Sequence, residues 1–266
     1  MIADFHMHSL FSADSEESPR AMIQKAISHK MDRMCFTDHQ DFDYEYDEFD
    51  FTLDSDKYFD EISVLRDKYR DKIKILIGVE MGLEPHLSNR IKEFLKRHSY
   101  DFVIGSTHLV EGVDPYYPEY FSGCTDTEGF LKYFEYILKT LDYCTDFDVY
   151  GHLDYIVRYA PKKDKNYSYK AFKEVIDEIL IKLVKMGKGI ELNTGGMYKG
   201  MASTNPHPDI IKRYKELGGE IITVGSDAHR AEFIGYSFND AKEILKESGF
   251  KYYTVFEKRK PEFIKL

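Results

Sequence analysis

The chain has 266 residues, 42% of them hydrophobic and 32% charged, which is ordinary for a globular enzyme and sufficient for one substantial core. Its formal charge of -10 argues against a nucleic-acid partner, because such proteins need a basic face to neutralise phosphates. No stretch approaches the roughly 18 apolar residues of a membrane span, so no membrane partner is expected, and the first residues lack the charged-then-apolar pattern of a signal peptide. The three cysteines, Cys35, Cys124 and Cys144, are far apart and form no CxxC pair, so a reducing compartment, the cytoplasm, is the expected location.

Short apolar or β-branched runs alternate with longer helical patterns along the chain. A strand is predicted over 2–5, then a helix over 18–30 that Ser18 caps and Pro19 opens. A strand over 33–37 leads into an acidic run, DFDYEYDEFDFTLDSD at 41–56. That run reads either as a solvated loop or as an acidic rim that attracts a cationic substrate. There follow a helix over 56–69, a strand over 73–79, a helix over 87–97, a strand over 102–106, a helix over 128–143 and a strand over 147–151. The helix over 169–185 ends near Gly187, ahead of a strand over 189–193. The helix over 209–217 ends at Gly218, ahead of a strand over 220–225. A helix over 239–247 and a possible eighth strand over 252–256 complete the pattern. Alternation this regular predicts a mostly parallel sheet in a single α/β domain over 1–266, with seven or eight units closing into a TIM-like barrel.

The polar residues fall at one end of these strands. His6 and His8 close the first strand (DFHMHS), and Asp38 and His39 the second (CFTDHQ). Glu80 follows the third (LIGVEM), His108 the fourth (IGSTHL), His152 the fifth (VYGHLD), Asn193 and Thr194 the sixth (IELNTGG), and Asp227 and His229 the seventh (VGSDAH). In a barrel these ends converge on one mouth. A single histidine after a strand is ordinarily a satisfied structural residue, but six of the ten in the chain occupy such positions. The other four, His29, His86, His98 and His207, read as surface residues. Alternate residues of a strand face the same side, so His6 and His8 can grip one ion. Imidazole and carboxylate ligands without thiolates suit Zn, Mn or Fe. No GxSxG, HExxH or phosphate-binding glycine loop suggests other chemistry. Thr194-Gly195-Gly196 reads either as backbone N–H groups offered to a phosphate or, more simply, as a turn.

These motifs in this order resemble the PHP (polymerase and histidinol phosphatase) superfamily. The segments STHLVEG, GHLDYIVRY and NTGGMYKG are similar to its histidinol-phosphatase branch. The resemblance implies a distorted (β/α)7 barrel holding two or three divalent transition-metal ions. One ion would take His6, His8, Glu80 and Asp227, a second Glu80, His108 and His152, and a third Asp14, His39 and His229. Asp38 would support the ligands from behind. The implied reaction is hydrolysis of L-histidinol phosphate by direct attack of metal-bound hydroxide, with cations about 3.5–4 Å apart. Arg158, Lys199 and Arg230 are candidates to hold the phosphate, Asp227 and His229 to protonate the leaving oxygen, and Glu80 to bridge two ions. Other readings are a phosphatase for another small phosphoester or for phosphotyrosine, a non-catalytic metal- or phosphate-binding module, and a nuclease.

Overall fold

The strands that carry the polar residues lie side by side in one parallel sheet. A computed structural model describes residues 3–46, 50–162, 165 and 167–266. The barrel strands are β1 (Ala3–Asp4), β2 (Arg33–Phe36), β3 (His39–Gln40), β4 (Lys74–Gly82), β5 (Phe102–Ser106), β6 (Val149–Tyr150), β7 (Gly189–Asn193) and β8 (Ile222–Gly225). Their order is β1-β2-β4-β5-β6-β7-β8, with β3 pairing β4 as the continuation of β2 beyond a break at Thr37 and Asp38. All these pairs are parallel and almost every barrel-strand residue is buried, as expected of strands covered on both faces. The ends of β1 and β8 close the ring. Phe5 N donates to Val224 O at 3.0 Å, Asp227 N to His6 O at 2.8 Å and His8 N to Ala228 O at 2.9 Å. The architecture is therefore a barrel of seven strand positions, as expected.

Helices cover the outside: α1 (Pro19–Ser28), α2 (Ser55–Tyr69), α3 (Ser88–Leu95), α4 (Asp126–Thr140), α5 (Lys173–Lys185), α6 (Gly195–Tyr198), α7 (Pro208–Glu216) and α8 (Phe238–Glu247). Ser18 accepts from Ala21 N at the start of α1, and Thr125 and Glu128 form a reciprocal capping box at α4. The expected turn at 194–196 instead opens the short helix α6. Gly187 and Gly218 take positive φ (68° and 93°) just beyond α5 and α7, a conformation that a Cβ disfavours.

The predicted eighth strand forms, but outside the barrel. β9 (Tyr252–Glu257) pairs antiparallel with β10 (Lys260–Lys265), which the sequence pattern did not suggest. Their turn has Lys258 and Arg259 at φ of 51° and 62°. Its backbone N–H groups reach Asp101 at the entrance to β5, and Arg259 Nε reaches Asp148 at the entrance to β6. Phe256 packs on Phe102, whose ring meets Phe5 edge-on. The hairpin thus seals the end of the barrel opposite the polar residues. No helix among the described residues is long and apolar enough to cross a membrane.

Candidate metal centre and active site

At the open end the imidazoles converge. His6 Nε2 lies 3.1 Å from both His8 Nε2 and Glu80 Oε2, and 3.8 Å from Asp227 Oδ1. His8 Nε2 is 3.5 Å from the same two carboxylate oxygens. Two ring nitrogens facing each other beside two carboxylates suit a cation between them, since Zn–N and Zn–O bonds of about 2.0–2.2 Å span such gaps. Glu80 is buried in the extended strand β4 and turns its other oxygen away. Oε1 lies 2.9 Å from His152 Nε2, 3.3 Å from His108 Nε2 and 2.6 Å from Ser106 Oγ. One carboxylate therefore serves two clusters.

A third group lies toward the surface. The His39 and His229 rings both stack on His8, with centroids 4.1 and 4.2 Å from it and 5.9 Å from each other. Asp14 Oδ2 is 2.9 Å from His229 Nε2 and 3.8 Å from His39 Nε2. His39 Nδ1 is buried without a hydrogen-bond partner, although Glu80 Oε2 is 3.1 Å away and Asp41 Oδ2 3.6 Å. Nδ1 thus faces the Glu80 and Asp41 side, where His39, Asp41 and His108 group their ligand atoms, while Nε2 faces Asp14. Asp227, at φ 55°, is one of the few non-glycine residues in the left-handed region, and this backbone turns its carboxylate back into the barrel mouth.

The electrostatics demand positive charge. Glu80, Asp227, Glu191, Asp41 and Asp14 gather here against only Arg158 and Lys199 as permanent cations among the described residues. Burial opposes charge on His6, but Glu191, Glu80 and Asp227 outweigh it and hold the ring proton well above the ordinary histidine range. His108 behaves likewise through Asp41 and Glu80. Burial pushes the Glu80 carboxyl up, yet His6, His108 and His39 hold it well below its usual range. Burial, with His39 and His229 beside it, instead holds His8 well below the ordinary range, so imidazole protons meet the carboxylate charge only in part and divalent ions would meet the rest.

A second layer orients the rings. Glu191 Oε1 accepts from His6 Nδ1 at 2.6 Å, and Asp41 Oδ1 from His108 Nδ1 at 2.7 Å. Asp38 takes Ser9 and Ser12 hydroxyls, and Ser12 Oγ meets His8 Nδ1 at 3.1 Å, so Asp38 acts on His8 through Ser12. Such partners fix tautomer and ring angle.

The cleft above the cluster is lined by the cations Arg158 and Lys199, by Asp114, and by Tyr44, Phe51, Tyr155 and Tyr159; the Arg158 guanidinium lies over the Tyr155 ring, 5.5 Å from its centroid. Asp114 is buried and accepts from Tyr44 Oη at 2.9 Å and Tyr116 N at 2.8 Å. Burial pushes its carboxyl up, partly offset by these two bonds.

Every expected ligand position therefore lies in or beside one cluster: His6, His8, Asp14, His39, Glu80, His108, His152, Asp227 and His229. Arg158 and Lys199 line the cleft, whereas Arg230 is exposed, near Glu232 at 3.9 Å, and is not part of the lining. Two of the histidines expected at the surface are not fully exposed. His98 stacks on Phe59, and His207 caps α7 by accepting from Asp209 N. The acidic run divides its labour. Asp41 is buried in the cleft, Asp43 pairs with Arg90, Asp54 caps α2 and Asp56 pairs with His98; residues 47–49 lie outside the described residues. Glu191, Asp154 and Asn205 escaped the sequence reading. A lone Glu inside the apolar strand GIELN was the available signal, because a buried charge requires a partner.

The PHP domain model matches residues 4–195. The chain is 36% identical over 262 residues to a histidinol-phosphatase of Lactococcus lactis, covering 95% of this chain and 93% of that protein. It is 35% identical to a protein of Clostridium acetobutylicum described as "Probable histidinol-phosphatase", covering 97% of this chain and 98% of the relative. Its fold superposes with a TM-score of 0.89 and 34% identity on the crystal structure of the Lactococcus lactis histidinol phosphate phosphatase in complex with zinc, L-histidinol and phosphate, covering 98% of both chains. A barrel with these clusters at its mouth, together with these similarities, establishes that the chain belongs to the PHP domain family.

Proposed function

We propose that this chain is a metal-dependent histidinol-phosphatase that hydrolyses L-histidinol phosphate to L-histidinol and phosphate. The observation that carries the reading is the Glu80 carboxylate, buried and shared between two imidazole clusters beneath a cleft that Arg158, Lys199, Asp114 and several aromatic rings line. His6, His8, Glu80 and Asp227 would hold one divalent ion, Glu80, His108 and His152 a second, and Asp14, His39 and His229 a third. Zinc, manganese and iron all suit nitrogen and oxygen donors. Such ions lower the pKa of bound water and neutralise the phosphoryl oxygens.

The chain's own groups do the rest. Lys199 lines the cleft with no ion pair within 4 Å among the described residues, acts on Asp227 through its charge, and is a cation able to meet the phosphate, as is Arg158. His229 Nε2 lies 2.9 Å from Asp14 Oδ2 and its Nδ1 2.9 Å from Asp227 O, so a His229 that holds an ion has no proton to give the leaving alkoxide. L-Histidinol phosphate carries an ammonium and an imidazole. Asp41 and Asp114 favour positive charge, and Tyr155 and Tyr159 offer ring faces to the imidazole. The aromatic wall also suits a phenyl ring, which keeps phosphotyrosine as the second reading.

Phosphate release should be measured with L-histidinol phosphate, p-nitrophenyl phosphate and phosphotyrosine, alongside the metal content of wild type and Glu80→Ala. L-Histidinol phosphate is expected to give the highest kcat/KM, and Glu80→Ala to lose both bound metal and turnover. Preference for an aryl phosphate would favour the second reading. Wild-type activity in Glu80→Ala would overturn the metal assignment.

A further inference from the structure

The Arg158 guanidinium bonds acceptors on three separate segments. Nε donates to Asn205 Oδ1, Nη2 to Asn193 Oδ1 and Nη1 to Asp227 Oδ2, each at 2.8 Å. Only Asp227 among these acceptors is charged. Each asparagine turns its other end to a carboxylate: Asn193 Nδ2 donates to Glu191 Oε2 at 3.1 Å, and Asn205 Nδ2 to Asp154 Oδ1 at 2.6 Å. A carboxylate only accepts and a guanidinium only donates, so both neighbours select the same orientation of each amide. Glu191 returns to the metal cluster through His6 Nδ1. Asp154 does not return to it; its second oxygen accepts from His207 N at 2.9 Å. Both Asp154 and Asn205 are buried, and an amide joining two buried charges is costly to rearrange.

We propose that Asp154 and Asn205 are positioning residues. The Asp154 carboxylate fixes the Asn205 amide, the amide pins Arg158 Nε, and the pinned guanidinium holds Asp227 Oδ2 so that Oδ1 stays aimed at His6 and His8. Neutral amides in this role matter for a second reason. Arg158 carries five N–H groups, three are used, and one carboxylate balances its charge, so a donor surface remains for an anion in the cleft it lines. An aspartate at 205 would neutralise the guanidinium and oppose Asp154.

This inference rests on the phosphatase reading insofar as the anion is phosphate. Its test uses the metal-loaded protein, with inorganic phosphate as the inhibitor and a chelator to time metal loss. Asp154→Asn and Asn205→Ala are each expected to weaken phosphate inhibition about tenfold and to hasten release of bound metal, in the range known for partners behind metal ligands. The double variant should be no worse than the weaker single one, since both act through one chain of bonds. Asn205→Asp keeps the shape of the side chain and should weaken phosphate at least as much as Asn205→Ala; it carries the prediction if Asp154→Asn fails to fold. Unchanged phosphate inhibition and metal retention in the Asn205 variants, or losses that multiply in the double variant, would overturn the proposal. A wild-type protein that neither holds metal nor responds to phosphate would instead overturn the phosphatase reading itself.

Discussion

At position 82 a side chain has no room. A Cβ on Gly82 would stand 2.0 Å from Asp41 Oδ1, the oxygen that takes the His108 Nδ1 proton. That bond leaves Nε2 as the nitrogen facing Glu80, which is what a metal-binding imidazole requires. Gly82→Ala must therefore displace Asp41 and release the His108 ring. Metal affinity is expected to fall about 10- to 100-fold with the far-ultraviolet circular dichroism unchanged. Titration showing wild-type affinity in this variant would contradict the role given to Asp41. At this scale the sequence was most informative where chemistry repeats at strand ends, because parallel strands in a barrel must deliver those ends to one mouth. It was least informative where a residue's work depends on a distant partner. Glu191 is hidden in a strand, Asn205 sits in a segment (STNPHP) between the predicted strand and helix that carries no motif, and Asp41 is masked by an acidic run whose other described members mostly serve the surface.

Between elements, most contacts are apolar, but the seam of α5 and α7 depends on charge. Asp177 on α5 accepts from Arg213 Nε and Nη2 on α7, from Lys173 Nζ at 2.8 Å and from Tyr169 Oη at 2.6 Å. Burial pushes its carboxyl up, but the bonds from Arg213, Lys173 and Tyr169 outweigh this and hold it at about 2. A folded-state value below the ordinary one stabilises the native state above the usual aspartate range, and the contribution disappears as pH falls toward 2. Asp177→Asn is expected to cost about 1–2 kcal/mol at pH 7, the lower part of the range reflecting solvent around Lys173 and Arg213. The difference from wild type should shrink between pH 4 and pH 2 in denaturant titrations. A difference independent of pH would mean that packing, not charge, joins the helices. Elements with a buried face were legible, since their apolar period records the core. β10 was not: its sequence KPEFIK is mostly exposed, and its turn uses Lys258 and Arg259 where a two-residue hairpin usually has Asn or Gly.

Across the whole molecule, the site gathers side chains from β3 and β4 and from the segments after β1, β5, β6 and β8, spread from His6 to His229. Metal ions held there would cross-link nearly the full circumference of the barrel at its open end, opposite the end that the hairpin seals. Without them, the carboxylates and imidazoles remain crowded, and imidazole protons are the remaining source of balancing charge. Binding that occurs only in the folded state adds stability by mass action, about 2.7 kcal/mol for each ion present at 100 times its dissociation constant. For a chain of this size, each kcal/mol moves the melting temperature by roughly 2 °C. Removal of one tightly held ion should therefore lower Tm by about 5 °C, and removal of more than one should lower it further. Calorimetry of chelated protein, followed by readdition of zinc or manganese one equivalent at a time, would resolve these steps. If chelated and reloaded protein melt at the same temperature, the ions do not bridge the strands as the convergence on Glu80 implies, and the barrel mouth must be held together by its hydrogen bonds alone.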